Sequence, residues 1–128
     1  MQGKVLVVDD EEVIRDVCSQ ILENEGYEVV TAASGMEALR LVSSGDEHFD
    51  VVVTDIMMPD MSGLELLEVI RRTSLDINPV VITGLGTFEM ATQSDRLGAK
   101  EFVVKPFTPD ELSEAVRKAV GPHPVRPV

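Results

Sequence analysis

Cysteine is almost absent from this sequence: Cys18 stands alone, so no internal disulfide can form. That excludes the disulfide-stapled scaffolds of small secreted proteins and fits a reducing compartment. Basic residues are scarce too. The 11 lysines and arginines face 23 acidic residues, for a formal charge of -12. Phosphate backbones and anionic lipid repel such a surface, so neither direct nucleic-acid binding nor membrane binding is expected. Divalent cations and basic partner surfaces are favoured instead. Long hydrophobic runs are missing: no stretch approaches the ~20 apolar residues of a membrane span. Charge arrives at Lys4 and Asp9, which leaves no signal-peptide core. The expectation is a cytoplasmic protein. Internal repeats, low-complexity segments and the twelve-residue calcium-loop pattern are lacking as well. "GLG" at 84–86 is only a fragment of a phosphate-cradling glycine motif, and it does not follow the first strand.

What is present is one domain's length, 128 residues with 44% apolar content, enough for a core without metal or disulfide staples. Five short runs read as strands: 4–8, 28–31, 50–54, 79–83 and 101–104. Most are unbroken Val, Ile and Leu, as expected for parallel strands covered on both faces. Segments of helical period separate them, at 11–25, 35–44, 63–72, 87–97 and 109–120. The first carries the stripe Val13, Ile14, Val17, Cys18, Ile21 and Leu22, which makes Cys18 a small core residue. Ser34–Glu37, Ser62–Glu65 and Thr108–Glu111 fit the capping-box spacing, and Pro109 suits a first helical turn. Gly26 and Gly98 follow helix ends. The segment 87–97 has only Phe88, Met90, Ala91 and Leu97 to bury, so it is the element expected to move. Strict alternation of strand and helix means a doubly wound parallel sheet with helices on both faces. The domain is expected over 1–120, with "GPHPVRPV" at 121–128 as a tail or linker stub.

In such a sheet, ligands bind outside the carboxyl ends of the strands. The polar residues there are Asp9 and Asp10 after the first strand, Asp55 at the end of the third, Thr83 at the end of the fourth and Lys105 after the fifth. Taken singly, each has a plainer explanation. Asp9 and Asp10 suit a helix cap, Asp55 a loop entry, Thr83 a strand end and Lys105 a solvated surface. Together they place three carboxylates, a hydroxyl and an ammonium on one rim. Carboxylates so close need a proton or a cation between them, and an incomplete oxygen set with room for water favours Mg²⁺. A carboxylate beside Mg²⁺ can act as a nucleophile toward phosphorus, with a lysine and a hydroxyl on the phosphoryl oxygens.

The pieces "VLVVDDE", "DVVVTDIMMPDMSGLELL", "PVVITG" and "GAKEFVVKPF", in that order, resemble the receiver domain of response regulators over residues 4–120. That resemblance implies a flavodoxin-like five-stranded sheet in the order 2-1-3-4-5. It implies that Asp55 accepts a phosphoryl group. It gives Asp10 to Mg²⁺ directly, Asp9 through the metal's water, and the Met57 backbone carbonyl as a further ligand. Lys105 would pair with the phosphoryl oxygens, Thr83 would move toward one of them, and Phe102 would be the switch aromatic. A cis Lys105–Pro106 bond is implied too. Asp55 would take its phosphoryl group from a phosphohistidine, so the implied partners are a sensor histidine kinase or a histidine phosphotransfer domain. An effector domain or downstream protein would read the face formed by the fourth helix, fifth strand and fifth helix, where Asp95, Arg96, Lys100 and Arg117 also suit a homodimer formed on phosphorylation. Apolar Met57 and Leu85 flank the site where the family tunes phosphoryl loss, which predicts slow-to-moderate self-dephosphorylation. Such a chain is not an enzyme beyond its own phosphorylation and dephosphorylation.

Two other readings compete. A haloacid-dehalogenase-type phosphatase needs an acid two places after its nucleophile, where this sequence has Met57. A pseudo-receiver that binds partners without phosphorylation is expected to lose Asp10, Asp55 or Lys105, and all three are present. His48 and His123 fall outside the rim and receive no role.

Overall fold

Ten elements alternate through the chain. They are β1 (Lys4–Val8), α1 (Glu12–Asn24), β2 (Glu28–Ala32), α2 (Gly35–Ser43), β3 (Val51–Asp55), α3 (Gly63–Arg72), β4 (Asn78–Thr83), α4 (Phe88–Arg96), β5 (Glu101–Val104) and α5 (Pro109–Val120). The structure is a computed structural model and describes residues 3–73, 76–84 and 86–121. Leu85, His123 and the tail beyond Gly121 lie outside the described residues.

All strand pairs are parallel, and the sheet order is β2-β1-β3-β4-β5, as expected for the flavodoxin-like arrangement. Alternate side chains point to opposite faces of the sheet. Val5, Val7, Val51, Val53, Val80 and Ile82 meet Cys18 and Leu22 of α1 and Leu112 and Val116 of α5. Leu6, Val8 and Val52 meet Ala38 and Val42 of α2 and Leu66 and Ile70 of α3. A smaller cluster of Ile56, Leu67 and Val81 takes Met90 and Phe102 against its edge. Packing on both faces explains why the strands are unbroken apolar runs.

The capping signals hold with one change. Ser62–Glu65 and Thr108–Glu111 form reciprocal boxes. Ser34 caps the Glu37 amide, but Glu37 Oε1 accepts from Ala33 N–H, one residue upstream of the cap. The apolar stripe of α1 is wider than its buried face. Ile14, Cys18, Ile21 and Leu22 pack inward, while Val13 is 71% and Val17 41% exposed because they lie on the flank of the helix. In α4 the expected apolar anchor Phe88 is 86% exposed, and the only fully buried residue of the helix is Ser94.

Register sets the rim. Val8 lies beside Thr54, Asp55 beside Ile82 and Thr83 beside Val104. The residue that ends or follows each of these strands therefore emerges at the same edge of the sheet.

Candidate functional site

Lys105 leaves β5 and crosses the rim to join two carboxylates. Its Nζ is 3.1 Å from Asp9 Oδ2 and 3.0 Å from Asp55 Oδ2, with Glu11 Oε1 at 3.6 Å. Its position is fixed from behind. The Lys105 N–H donates to the Thr83 carbonyl at 2.8 Å, which prolongs the β4–β5 pairing by one residue, and the next peptide bond, to Pro106, is cis as the resemblance implied.

Asp9 and Asp55 are both buried, and neither is left bare. Asp9 Oδ1 accepts from the Glu11 N–H at 2.8 Å, so this aspartate caps the turn into α1 with one oxygen and holds Lys105 with the other. Arg15 reaches back to donate to the Asp9 carbonyl at 2.8 Å. Asp55 Oδ1 accepts from the Met57 N–H at 3.3 Å. Burial pushes the Asp9 carboxyl up from its ordinary value, against the hydrogen bonds from Glu11 N–H and Lys105 that favour its charged form. Burial alone pulls the lysine down, but its hydrogen bonds with Asp55 and Asp9 outweigh that and raise it.

The carboxylates that converge are Asp9, Glu11 and Asp55, with oxygens within 4.8 Å of one another. Asp10, which the resemblance implies as the direct metal ligand, stands outside this group among the described residues; it is exposed, as Glu11 is. Glu11 was missed because its place before a helical stripe makes it look like an ordinary first-turn acid. Its signal was the third consecutive acid at the end of a buried strand. With three carboxylates facing one ammonium, the cluster has carboxylate in excess, and hard oxygen donors suit a divalent cation with water in its shell. The site can therefore hold a metal and, at Asp55, present a nucleophilic oxygen beside a fixed positive charge.

The other residues that the resemblance implies sit at different depths. Thr83 is fully buried at the end of β4. Met57 is 60% exposed, and its backbone N–H is bonded to Asp55. Phe102 is half-buried, and it lines two cavities, about 450 Å³ between β5 and α5 and about 370 Å³ between α4 and β5. His48 is exposed and 3.6 Å from Asp50, away from the rim.

Behind Asp55 the chain folds back tightly. The Gly63 N–H donates to the Ile56 carbonyl at 2.8 Å, and a Cβ on Gly63 would stand 2.1 Å from the Asp55 carbonyl oxygen. Only glycine lets α3 start this close to the strand that carries Asp55. No described helix is long and apolar enough to cross a membrane.

Known proteins resemble this chain in sequence and fold. Residues 5–117 match the family described as "Response regulator receiver domain". The sporulation initiation phosphotransferase F of Bacillus subtilis is 36% identical over 118 residues, covering 92% of this chain and 94% of that protein. The response regulator SaeR of Staphylococcus aureus is 40% identical over 108 residues, 84% of this chain but 46% of that protein, so the chain spans about half the length of that relative. Among solved structures, the response regulator TrrA of Thermotoga maritima, in complex with Mg²⁺-BeF, superposes with a TM-score of 0.81 at 41% identity, covering 91% of this chain and 98% of that one. A receiver domain from Clostridium thermocellum reaches a TM-score of 0.84 at 36% identity, with 92% and 94% covered. A buried carboxylate pair bridged by a lysine, on a sheet of this order and with these relatives, has one assignment: the chain belongs to the response-regulator receiver domains of two-component signalling, modules that signal through phosphorylation rather than classical enzymes.

Proposed function

We propose that the domain, residues 1–120, is the phosphoacceptor of a two-component phosphorelay and that Asp55 takes a phosphoryl group from a phosphohistidine. The observation that carries this reading is the bridge from Lys105 to Asp9 and Asp55 beside Glu11. In the transfer, an Asp55 oxygen forms its bond to phosphorus while the P–N bond breaks. The imidazole leaves with that electron pair and takes a proton. Lys105, already within hydrogen-bond distance of Asp55, meets the charge on the phosphoryl oxygens, and the Thr83 hydroxyl bonds one of them.

Mg²⁺ is the metal this donor set suits, and the relative solved with Mg²⁺-BeF supports it. Bound there, it would neutralise phosphoryl charge. Asp55, the Met57 carbonyl and Asp10 would hold it, with Asp9 acting through water. Glu11 is an added candidate because it joins the cluster in place of Asp10. Met57 has no group that moves a proton, which argues against a phosphatase, and the absence of an acid or amide two places after Asp55 supports slow phosphoryl loss.

Phosphorylation adds about two negative charges. Attraction to Lys105 and Thr83 would draw the loop after β4 inward. Phe102 borders open surface grooves against α5 and against α4, and α4 buries little that would resist a shift. The α4–β5–α5 face would then meet an effector domain, a downstream protein or a second copy. A histidine kinase or phosphotransfer domain in the cytoplasm would supply the phosphoryl group.

Intact mass after incubation with acetyl phosphate, with and without Mg²⁺, tests this on wild type and Asp55→Asn. A Mg²⁺-dependent gain of one phosphoryl group in the wild type alone is expected. No gain from either acetyl phosphate or a histidine-phosphorylated donor would favour the pseudo-receiver reading instead.

A further inference from the structure

The loop between β3 and α3 carries Met57 at its root, so whatever fixes this loop fixes part of the site. Its two ends are pinned together by the Gly63 N–H to Ile56 carbonyl bond. Its tip is held by a different element. Asp60 Oδ1 accepts from the Gly35 N–H at 3.3 Å and Asp60 Oδ2 from the Met36 N–H at 3.0 Å, both in the first turn of α2. A helix start leaves four amides without intrahelical partners. In α2, Asp60 takes those of Gly35 and Met36, and Ser34 Oγ takes that of Glu37 at 3.1 Å; the Ala38 N–H then makes the first intrahelical bond, to the Ser34 carbonyl at 3.1 Å.

Half of the cap of α2 thus comes from a carboxylate 24 and 25 residues away in sequence, on the loop that follows Asp55. Packing confirms that the two segments touch. A Cβ on Gly35 would stand 2.8 Å from Met61 Cβ, and Met61 itself packs against the Leu6–Val8–Val52 side of the core. Sequence spacing gives Asp60 no role, since it lies three residues before the next helix, α3, and caps another one.

We propose that Asp60 is a positioning residue for the metal and phosphoryl site: by clamping the loop tip to α2 it sets where Met57 holds its backbone beside Asp55. The inference rests on the reading of Met57 as a backbone ligand. Without the clamp, the loop can rock about its Ile56–Gly63 root. The long 3.3 Å bond from Met57 N–H to Asp55 Oδ1 is the first contact to feel that motion.

The test compares wild type with Asp60→Ala, Asp60→Asn and Ser34→Ala. Mg²⁺ affinity is read by titration calorimetry, amide exchange at Met57, Gly35 and Met36 by NMR, and melting temperature alongside. Asp60→Ala is expected to weaken Mg²⁺ binding about tenfold, as loss of a residue that orients a ligand does, and to speed exchange at Met57. Asp60→Asn keeps one acceptor oxygen for two amides, so its affinity should fall between those of Asp60→Ala and wild type. Ser34→Ala removes the local half of the same cap, so it should lower the melting temperature while leaving Mg²⁺ affinity and Met57 exchange within about twofold of wild type.

Three results would overturn the proposal. Equal losses in Asp60→Ala and Ser34→Ala would mean that only helix stability matters. Equal losses in Asp60→Ala and Asp60→Asn would mean that Asp60 acts through its charge. Unchanged affinity and exchange in Asp60→Ala would mean that the loop needs no clamp. If wild type itself does not bind Mg²⁺, the metal reading fails, and Met57 exchange alone still decides whether Asp60 holds the loop.

Discussion

Gly63→Ala puts the close approach behind Asp55 to a quantitative test. Gly63 is the first residue of α3, and its φ is not in the left-handed region, so the constraint there is space rather than backbone freedom. An added Cβ would lie 2.1 Å from the Asp55 carbonyl oxygen, 2.9 Å from its carbon and 3.0 Å from Ile56 Cα. A tolerable carbon–oxygen contact is about 3.3 Å, so the start of α3 must retreat by on the order of 1 Å. None of the three obstructing atoms belongs to a flexible side chain. All are backbone, so the strain cannot be relieved by a rotamer change.

The retreat stretches the 2.8 Å bond from Gly63 N–H to Ile56 O and loosens Leu66 and Leu67, both fully buried. Overpacking of this kind costs ~1–3 kcal/mol, and a weakened buried hydrogen bond adds about 1 kcal/mol. The better helix propensity of alanine returns at most about 1 kcal/mol. The net expectation is a loss of at least roughly 1–3 kcal/mol, read by urea unfolding as a lower midpoint with an unchanged slope. The Asp55 backbone must also shift, so acetyl phosphate labelling should slow. Two other glycines calibrate the result. Gly84→Ala meets no atom within 4 Å and should stay within about 0.5 kcal/mol of wild type. Gly45→Ala also meets nothing but has φ +77°, which costs about 1 kcal/mol of strain. If Gly63→Ala loses no more than Gly45→Ala, the approach of α3 to Asp55 is not a structural constraint and the reasoning fails.

Lys105→Met should destabilise the domain by about 2–4 kcal/mol, because it leaves two buried carboxylates without their shared cation. Added Mg²⁺ should restore part of that loss, and unfolding midpoints in either buffer check both statements. The folded-state pKa of Lys105 is raised above 10.5, so its contribution is fully present below that pH and fades as pH rises beyond it. The wild type should therefore lose stability above about pH 10.5 more steeply than Lys105→Met does. Cys18 is fully buried, and burial pushes its thiol up to about 12, so at pH 8 it should react with a disulfide reagent only after unfolding. Fast labelling of the native protein would mean that α1 opens readily.

The fold was legible because the two-faced burial of a parallel sheet writes itself directly into sequence. Val51, Val52 and Val53 are all fully buried, and an unbroken run of this kind has no other use in a chain that alternates with helical stripes. What the stripes left open was the edge of each helical face. Val13 and Val17 read like core, yet they lie on the flank of α1, since periodicity fixes the direction of a buried face better than its width. Phe88 was misjudged for a related reason. α4 packs mainly through Met90 and Leu97 against a small cluster, which leaves its first residue in solvent.

The site divides along the same line. Asp9, Asp55, Thr83 and Lys105 could be placed because register in a parallel sheet brings strand ends to one rim, and a strand end is visible in sequence. Glu11 and Asp60 could not, since their positions depend on turn geometry. Asp9 spends one oxygen on the Glu11 amide, and the Glu11 carboxylate joins the rim cluster where Asp10 does not. Asp60 sits in "PDMSG", where proline and glycine explain the turn but say nothing of the α2 amides the carboxylate will meet. Asp60 is an acid in a loop whose partners are backbone N–H groups brought close by tertiary packing, and Glu11 is turned toward Lys105 by the bond from its own N–H to Asp9. Side-chain partners of opposite charge can be guessed from a sequence that has few of them, as Lys105 was. Every residue but proline has an amide, so an acid that binds one carries no mark in sequence of which amide it will choose.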